Sequence, residues 1–282
     1  MTELVSGDIS LVVSTYNRPR ALRLVLESVR AQRSLPGEVL IADDGSGEET
    51  RQLIAEMAAC FPIPLRHVWQ DDHGFRVGAI RNKAIATSRL PYVVQIDGDI
   101  VVHRDFIRSH ARFARVGSWA QGSRSLLGKA CTERLLQGIT RTPGVFTRDV
   151  SHRWNAIYFP PLARLVQGPR DSLRRVRGAH FAFWRADLIR VNGYDEEMEG
   201  WGREDSELAA RLVASGVERR NIKYSAVAYH LWHPANDRSS LARNDEYFHR
   251  CLRERRTFAP RGIDQHLQNQ AAIISYPHSS TT

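Results

Sequence analysis

The chain has 282 residues, a formal net charge of +9 and three scattered cysteines. Its 42% hydrophobic and 25% charged residues suit a soluble globular protein of one large or two small domains. No apolar run approaches the ~20 residues of a membrane-spanning helix, Met1 to Asp8 lack the basic-then-apolar order of a secretory signal, and Cys60, Cys131 and Cys251 have no metal-binding spacing.

Ile9–Ser14 predicts a buried strand, and Pro19 fits the first turn of a helix in which Leu22, Val25, Leu26 and Val29 recur at helical spacing to about Ala31. Glu38–Ala42 is a second strand, ending in Asp43-Asp44-Gly45-Ser46, with a helix over about Glu48–Ala59 behind it. Leu65–Trp69 is a third strand and Val77–Ser88 a third helix. A fourth strand beginning at Tyr92 ends abruptly in Asp97-Gly98-Asp99. This alternation predicts an α/β fold with a mostly parallel, Rossmann-like sheet and helices on both faces. There are no internal repeats.

Beyond Asp99 a helix is expected over Phe106–Val116, then a weak pattern to Gly178 with a helix in Leu126–Leu136 and loops at Thr140–Arg148 and Pro160–Pro169. Order returns with a strand at Ala179–Trp184 and a short helix at Ala186–Val191. A helix at Ser206–Ala214, stopped by Gly216, precedes a strand over residues 223–229 that delivers His230 and His233. Ser275–Thr282 reads as a frayed polar tail.

Three groups of residues carry chemistry. Asp97 and Asp99 leave a strand at the edge where parallel α/β sheets bind ligands. They suit a hard divalent cation with phosphate oxygens, or equally a surface turn. His230 and His233 would make an oxygen-rich, mixed ligand set with that pair, better matched to Mn²⁺ or Mg²⁺ than to structural zinc. On a strand the two imidazoles would point to opposite faces, so one ligand, His230, is favoured over His233, with simple packing as the alternative for both. Glu204-Asp205 follows Gly200-Trp201-Gly202 at a helix start. The macrodipole stabilises acids there and lowers their pKa, whereas a carboxylate beside an exposed aromatic face can deprotonate a sugar hydroxyl. Asp43 and Asp44 could bond a ribose or a base edge, or serve the turn; Arg76, Arg81 and Lys83 could face an anion.

Together these stretches resemble the family 2 glycosyltransferases of the GT-A fold. The resemblance rests on Leu11–Pro19, Ala42–Ser46, Gly78–Asn82 and Ile96–Asp99, and on Val191–Asp195 with Gly200–Asp205, which is similar to the galactosyltransferase-type C-terminal region of β-1,4-galactosyltransferases and bacterial chondroitin-polymerase-like enzymes. It covers about residues 9–115 and 178–235.

The resemblance implies an inverting, metal-dependent transfer of a sugar from a UDP-sugar to a glycan or glycolipid hydroxyl. Thr15, Tyr16 and Arg18 would line the nucleotide pocket, Asp44 would contact uracil or ribose, and Arg81 would lie near the diphosphate. Asp97 would serve the ribose or the metal, Asp99 the metal directly, and His230 or His233 would complete that site. Trp201 and Gly202 would meet sugar, with Glu204 beside them and Asp205 as the base. His180 stands where many relatives carry asparagine, within the expected donor-sugar contacts.

The implied organisation is a nucleotide-sugar half over 1–116, an acceptor-side insert over 117–177, a catalytic half over 178–265 and a tail over 266–282. The basic runs Arg170–Arg177, Arg219-Arg220 and Arg250–Arg256 are solvated surface, or hold an anionic substrate or an anionic membrane. Nothing resembles a nucleic-acid module, so no nucleic acid is expected. The cysteine usage points to a reducing compartment, hence the cytoplasm, with the inner membrane face as the place of a lipid-linked acceptor. Two other readings share these features: a sugar nucleotidyltransferase, although Thr15–Pro19 lacks the glycines of a triphosphate loop, and a non-catalytic nucleotide- or glycan-binding scaffold.

Overall fold

The computed structural model describes residues 3–139, 143–166, 168, 173–268 and 273–274. The expected tail at Ser275–Thr282, part of the Thr140–Arg148 loop and Arg170 lie outside the described residues. In chain order the first half holds β1 (Ile9–Thr15), α1 (Pro19–Arg30), β2 (Glu38–Asp43), α2 (Glu48–Cys60), β3 (Leu65–Trp69), α3 (Val77–Thr87) and β4 (Tyr92–Asp97). Next come β5 (Ile100–Val102), α4 (Phe106–Phe113), β6 (Ser118–Gly122), β7 (Ser125–Leu127), α5 (Lys129–Leu136), β8 (Val150–Ser151) and α6 (Pro160–Val166). The remainder is β9 (His180–Trp184), α7 (Arg185–Arg190), α8 (Glu204–Ala214), β10 (Glu218–Ile222), β11 (Ala228–His230), α9 (Leu241–Glu254), α10 (Asp264–Leu267) and β12 (Ile273–Ile274).

The main sheet runs β10-β6-β9-β4-β1-β2-β3-β12. It is parallel except for β9, antiparallel to β4 and β6, and β12, antiparallel to β3. The chain steps outward from β1 through β2 to β3, then returns to lay β4 on the other side of β1. That reversal opens a crevice at the carboxyl ends of β1 and β4, the place where open α/β sheets bind ligands. A second sheet, β5-β11-β7-β8, stands beyond it.

Strands β1, β2 and β4 are buried on both faces because successive side chains alternate. Leu11, Val13, Val94 and Ile96 pack with Leu22, Val25, Leu26 and Val29 of α1 in one core. Val12, Leu40 and Val93 pack with Ile80, Ala84, Leu208 and Leu212 of α3 and α8 in the other. Among the described residues no helix is long and apolar enough to cross a membrane.

Beyond Asp99 the structure differs from the sequence expectation in four places. Pro160 and Pro161 open α6, since proline fits a first helical turn. The expected helix at Leu126–Leu136 splits, with Ser125–Leu127 taken by β7, which pairs with both β11 and β8. The expected strand over 223–229 shortens to β11 at its end, beside β5, while β10, a strand not expected, precedes it beside β6 in the main sheet, and Tyr224 turns the chain between them at φ 61°. The helix expected to Val116 ends at Phe113, where the chain leaves with Ala114 at ψ 130°.

Candidate active site

The crevice is a cleft of about 900 Å³. Thr15, Tyr16, Arg18, Asp44, Arg81, Asp97, Asp99, Trp201, Gly202, Glu204, Asp205 and His233 all line it, so the fold brings both halves of the sequence reading to one place. Gly98 is glycine because of close approach: its N–H donates to the Ser14 carbonyl at 2.6 Å, and a Cβ would stand 2.7 Å from that oxygen. Asp97 and Asp99 are thereby clamped against the end of β1.

Asp99 is buried, and three cationic or ligand-type groups converge on it. Arg18 Nη1 donates to Oδ2 at 2.7 Å, His233 Nε2 lies 3.4 Å from Oδ2 and His230 Nε2 lies 3.5 Å from Oδ1. Both histidines therefore reach Asp99, contrary to the opposite-face argument. β11 ends at His230, paired with Ile100 beside Asp99, and the Leu231 N–H donates to the Asp99 carbonyl, so His233 returns from outside the strand. His233 Nδ1 lies 2.5 Å from the Pro234 carbonyl, which can only accept, so Nδ1 is the donor there and Nε2 is the nitrogen turned to Asp99.

The ligand atoms of Asp99, His230 and His233 lie within 4.8 Å of one another, and Asp99 Oδ1 is buried without a hydrogen-bond partner. The oxygen-rich pair expected from Asp97 and Asp99 is replaced by one carboxylate and two imidazoles, a donor set that fits a divalent transition ion such as Mn²⁺ better than Mg²⁺, which prefers oxygen ligands. Burial raises the pKa of Asp99 and lowers that of His230. Asp97 stands apart from the cluster, its Oδ1 accepting from Arg81 Nη2 at 2.8 Å.

Glu204 and Asp205 form the first turn of α8 behind Arg203, which is left-handed at φ 73°. The expected macrodipole depression of their pKa is overridden. Burial pushes the Glu204 carboxyl up to about 7, with Asp205 adding like charge, and burial likewise raises Asp205. Asp205 Oδ2 accepts the Gly178 N–H, and Glu204 Oε2 accepts the Gly202 N–H at 3.1 Å. Arg81 supplies the balancing charge: its Nη1 lies 4.0 Å from Glu204 Oε1 and has no hydrogen-bond partner. The flanking Gly200 and Gly202 stand at φ 80° and 111°, as a loop presenting Trp201 to the cleft requires. Arg238 lies over the Trp201 ring at 5.3 Å.

On the β1–β2 side, Thr15 Oγ1 is buried without a partner and Tyr16 donates to Asp72 at 2.8 Å. Asp44, its pKa raised by burial, accepts from Gln70 Nε2 at 2.6 Å and from the Arg76 N–H at 2.8 Å. Asp43 is fully buried against His67 and the Ser46 N–H and does not reach the cleft.

His180 requires a correction. In the antiparallel register it faces Ile96, it is 1% exposed, and its Nε2 lies 2.8 Å from His110 Nε2 beside Phe106. It belongs to the interior and does not line the cleft. Burial lowers the pKa of His180 to about 3 and takes His110 well below its usual value. The unfolded chain then binds more protons below pH 6.5, so stability falls as pH drops through that range. Between pH 6.5 and 5, His180 alone should cost roughly 2 kcal/mol. Urea midpoints should fall over that interval in the native chain and fall less in a His110→Leu/His180→Leu variant; parallel losses would refute the assignment.

Two contributors escaped the sequence reading. α9 braces the Gly-Trp-Gly loop, with Asn244 Nδ2 donating to the Gly202 carbonyl at 3.0 Å, and Leu241, Phe248 and Leu252 wall the cleft. Its buried Asn244, Phe248 and Cys251 have helical spacing, a signal obscured by the surrounding arginines. Arg124 and Arg174–Arg177 also line the cleft, so part of one basic run faces a cavity and not a flat surface.

The family model described as "Glycosyl transferase family 2" matches residues 10–124, and that described as "N-terminal domain of galactosyltransferase" matches residues 165–234. The chain is 27% identical over 254 residues to a chondroitin synthase of Escherichia coli, covering 83% of this chain and 36% of that protein. It is 27% identical over 236 residues to a validoxylamine A glucosyltransferase of Streptomyces hygroscopicus subsp. limoneus, covering 74% and 48%. The chain thus spans less than half the length of these relatives. The fold is similar to S. aureus TarS 1-349 in complex with UDP-GlcNAc (TM-score 0.58, 18% identity, 92% of this chain and 70% of that one). It is also similar to the mannosyltransferase PcManGT from Pyrobaculum calidifontis in complex with GDP-Man and Mn2+ (TM-score 0.55, 17% identity, 94% and 73%). The two family models thus meet at one cleft of a GT-A fold, with residues 10–124 matching the family 2 glycosyltransferases and residues 165–234 a galactosyltransferase-type region.

Proposed function

We propose that the protein transfers a hexose or N-acetylhexosamine from a UDP-sugar to a hydroxyl of a glycan or glycolipid, with inversion at the anomeric carbon, in the assembly of a cell-surface polysaccharide or lipopolysaccharide. The observation that carries this is a set of three buried polar atoms without partners, Thr15 Oγ1, Arg81 Nη1 and Asp99 Oδ1, all on residues lining one cleft. Buried polar groups are nearly always paired, so such a set marks a place that a polar ligand completes.

Thr15, Tyr16 and Asp44 line the nucleoside end, and Arg81, held over Asp97 and facing Glu204, meets the diphosphate. Asp99, His230 and His233 would hold a divalent transition ion such as Mn²⁺. When bound, the cation neutralises negative charge on the departing diphosphate. Asp205 takes the proton of the acceptor hydroxyl as that oxygen attacks the anomeric carbon and the bond from that carbon to the diphosphate oxygen breaks. The Gly178 N–H fixes Asp205, and its burial makes it a stronger base than an exposed aspartate. Trp201 offers an aromatic face to the sugar.

A panel of nucleotide-sugars tests this by thermal shift and hydrolysis. A ligand at 100 times its Kd adds about 2.7 kcal/mol, or about 5 °C in Tm for a chain of this size. UDP-sugars should give that shift and be slowly hydrolysed, and EDTA should stop the hydrolysis. No shift with any nucleotide-sugar would overturn the reading.

A further inference from the structure

A second cavity of about 860 Å³ lies beside the cleft. Arg124, Arg174, Arg175 and Arg177 line both, forming a shared wall. Past that wall the cavity continues to Arg219 and Lys223, which do not line the cleft. Among the described residues no carboxylate lines this cavity. The positive charge therefore extends away from the place where a donor diphosphate would sit.

The wall is built, not a loose surface strip. Gln121 Nε2 donates to the Arg175 carbonyl and Arg219 Nη1 to the Arg174 carbonyl, each at 3.0 Å, while Asn155 Nδ2 holds the Arg124 carbonyl at 2.9 Å. Arg175 is left-handed at φ 58°, an uncommon conformation outside glycine. Arg124 Nε is buried without a partner, and among the described residues Arg124, Arg175 and Arg177 form no ion pair with a carboxylate. By contrast, Arg18, Arg81 and Arg211 each face an acid within hydrogen-bond distance. Arg124 lies in the fields of Asp97, Asp99 and Asp205 from the cleft and of Arg177 from the wall. Gly178, next to Arg177, holds Asp205.

We propose that this cavity seats an oxyanion of the acceptor, a phosphate or a carboxylate carried on a unit next to the reacting sugar. The acceptor is then an anionic glycan. The inference rests on the transfer reading above and specifies its acceptor. Guanidinium forks bind both oxyanions in paired hydrogen bonds, and a charged, concave site raises the local concentration of an anionic chain at the base. A concave seat suits a chain and not the plane of a bilayer.

The test measures direct binding of three six-unit probes: an alternating uronate–N-acetylhexosamine glycan, its carboxyl-reduced neutral analogue, and a glycosyl-phosphate polymer. UDP affinity is read in the same samples. At low salt at least one anionic probe should bind ~10-fold more tightly than the neutral one, and which one binds names the oxyanion. Arg175→Ala and Lys223→Ala should each weaken that binding severalfold, while Arg30→Ala, an exposed charge on α1, should not.

Equal binding of the neutral probe overturns the proposal, as does unchanged anionic affinity in both cavity variants. So does loss of binding to anionic lipid vesicles in those variants with probe binding intact, which would assign the arginines to a membrane. Failure of the wild type to bind UDP refutes the transfer reading instead. UDP binding without anionic preference refutes only the cavity.

Discussion

Asp205→Asn is expected to lower kcat for sugar transfer roughly 10²- to 10⁴-fold, the usual contribution of a positioned base, while UDP binds as before. The change is nearly isosteric. The amide oxygen can still accept the Gly178 N–H that holds the native carboxylate, so the backbone at Gly178 stays in place. What is lost is the ability to take a proton. A variant that keeps turnover would remove Asp205 as the base, and one that also loses UDP affinity would show that the change disturbs the cleft.

The adjacent carboxyl makes the same argument visible in pH. Glu204 is pushed up to about 7 by burial and by the like charge of Asp205. The two titrate as a pair. Glu204 accepts the Gly202 N–H and faces Arg81 beside the base, so kcat/KM should show a limb near pH 7, where Glu204 titrates. In Glu204→Gln no group titrates at that position, so this limb should disappear. An unmoved limb would place the controlling proton elsewhere.

Asp99→Ala should reduce Mn²⁺ affinity, measured by calorimetry, by at least ~100-fold, since even residues that only support metal ligands account for 10- to 100-fold. EDTA-sensitive hydrolysis of the UDP-sugar should be lost with it. Asp99 also neutralises Arg18, so the alanine variant leaves a cation without its 2.7 Å partner and should be less stable. Asp99→Asn and His233→Ala separate the effects: both weaken the metal, and His233→Ala leaves the Arg18–Asp99 pair intact. Native Mn²⁺ affinity in all three would remove the metal from this corner.

Much of the donor side was legible because its signals are local. Short apolar runs in Leu11 to Val13 and Val93 to Ile96, helical spacing in Leu22 to Val29 and the abrupt Asp97-Gly98-Asp99 stop each predict structure within a short window, and β1 to β4 formed within a residue or two of the expected bounds. The acid pair at the start of α8 was legible for the same reason.

What only the tertiary structure decided involves partners distant in sequence. His230 and His233 meet on Asp99 because β11 pairs with β5 and then ends, which no spacing rule contains. His180 turns inward because β9 runs antiparallel to β4, placing it opposite Ile96 and against His110. The acid pair gains protons more readily despite its helix terminus, because packing removes water, and desolvation outweighs the dipole. The arginine wall lines two cavities because β6 and β10 hold the backbone of residues 174–175 beside the cleft. By itself the sequence determined the strands, the helices and the residue types that could do chemistry. Which of those residues share a cavity, and in what charge state, depended on contacts between segments and on the exclusion of water that only the folded chain creates.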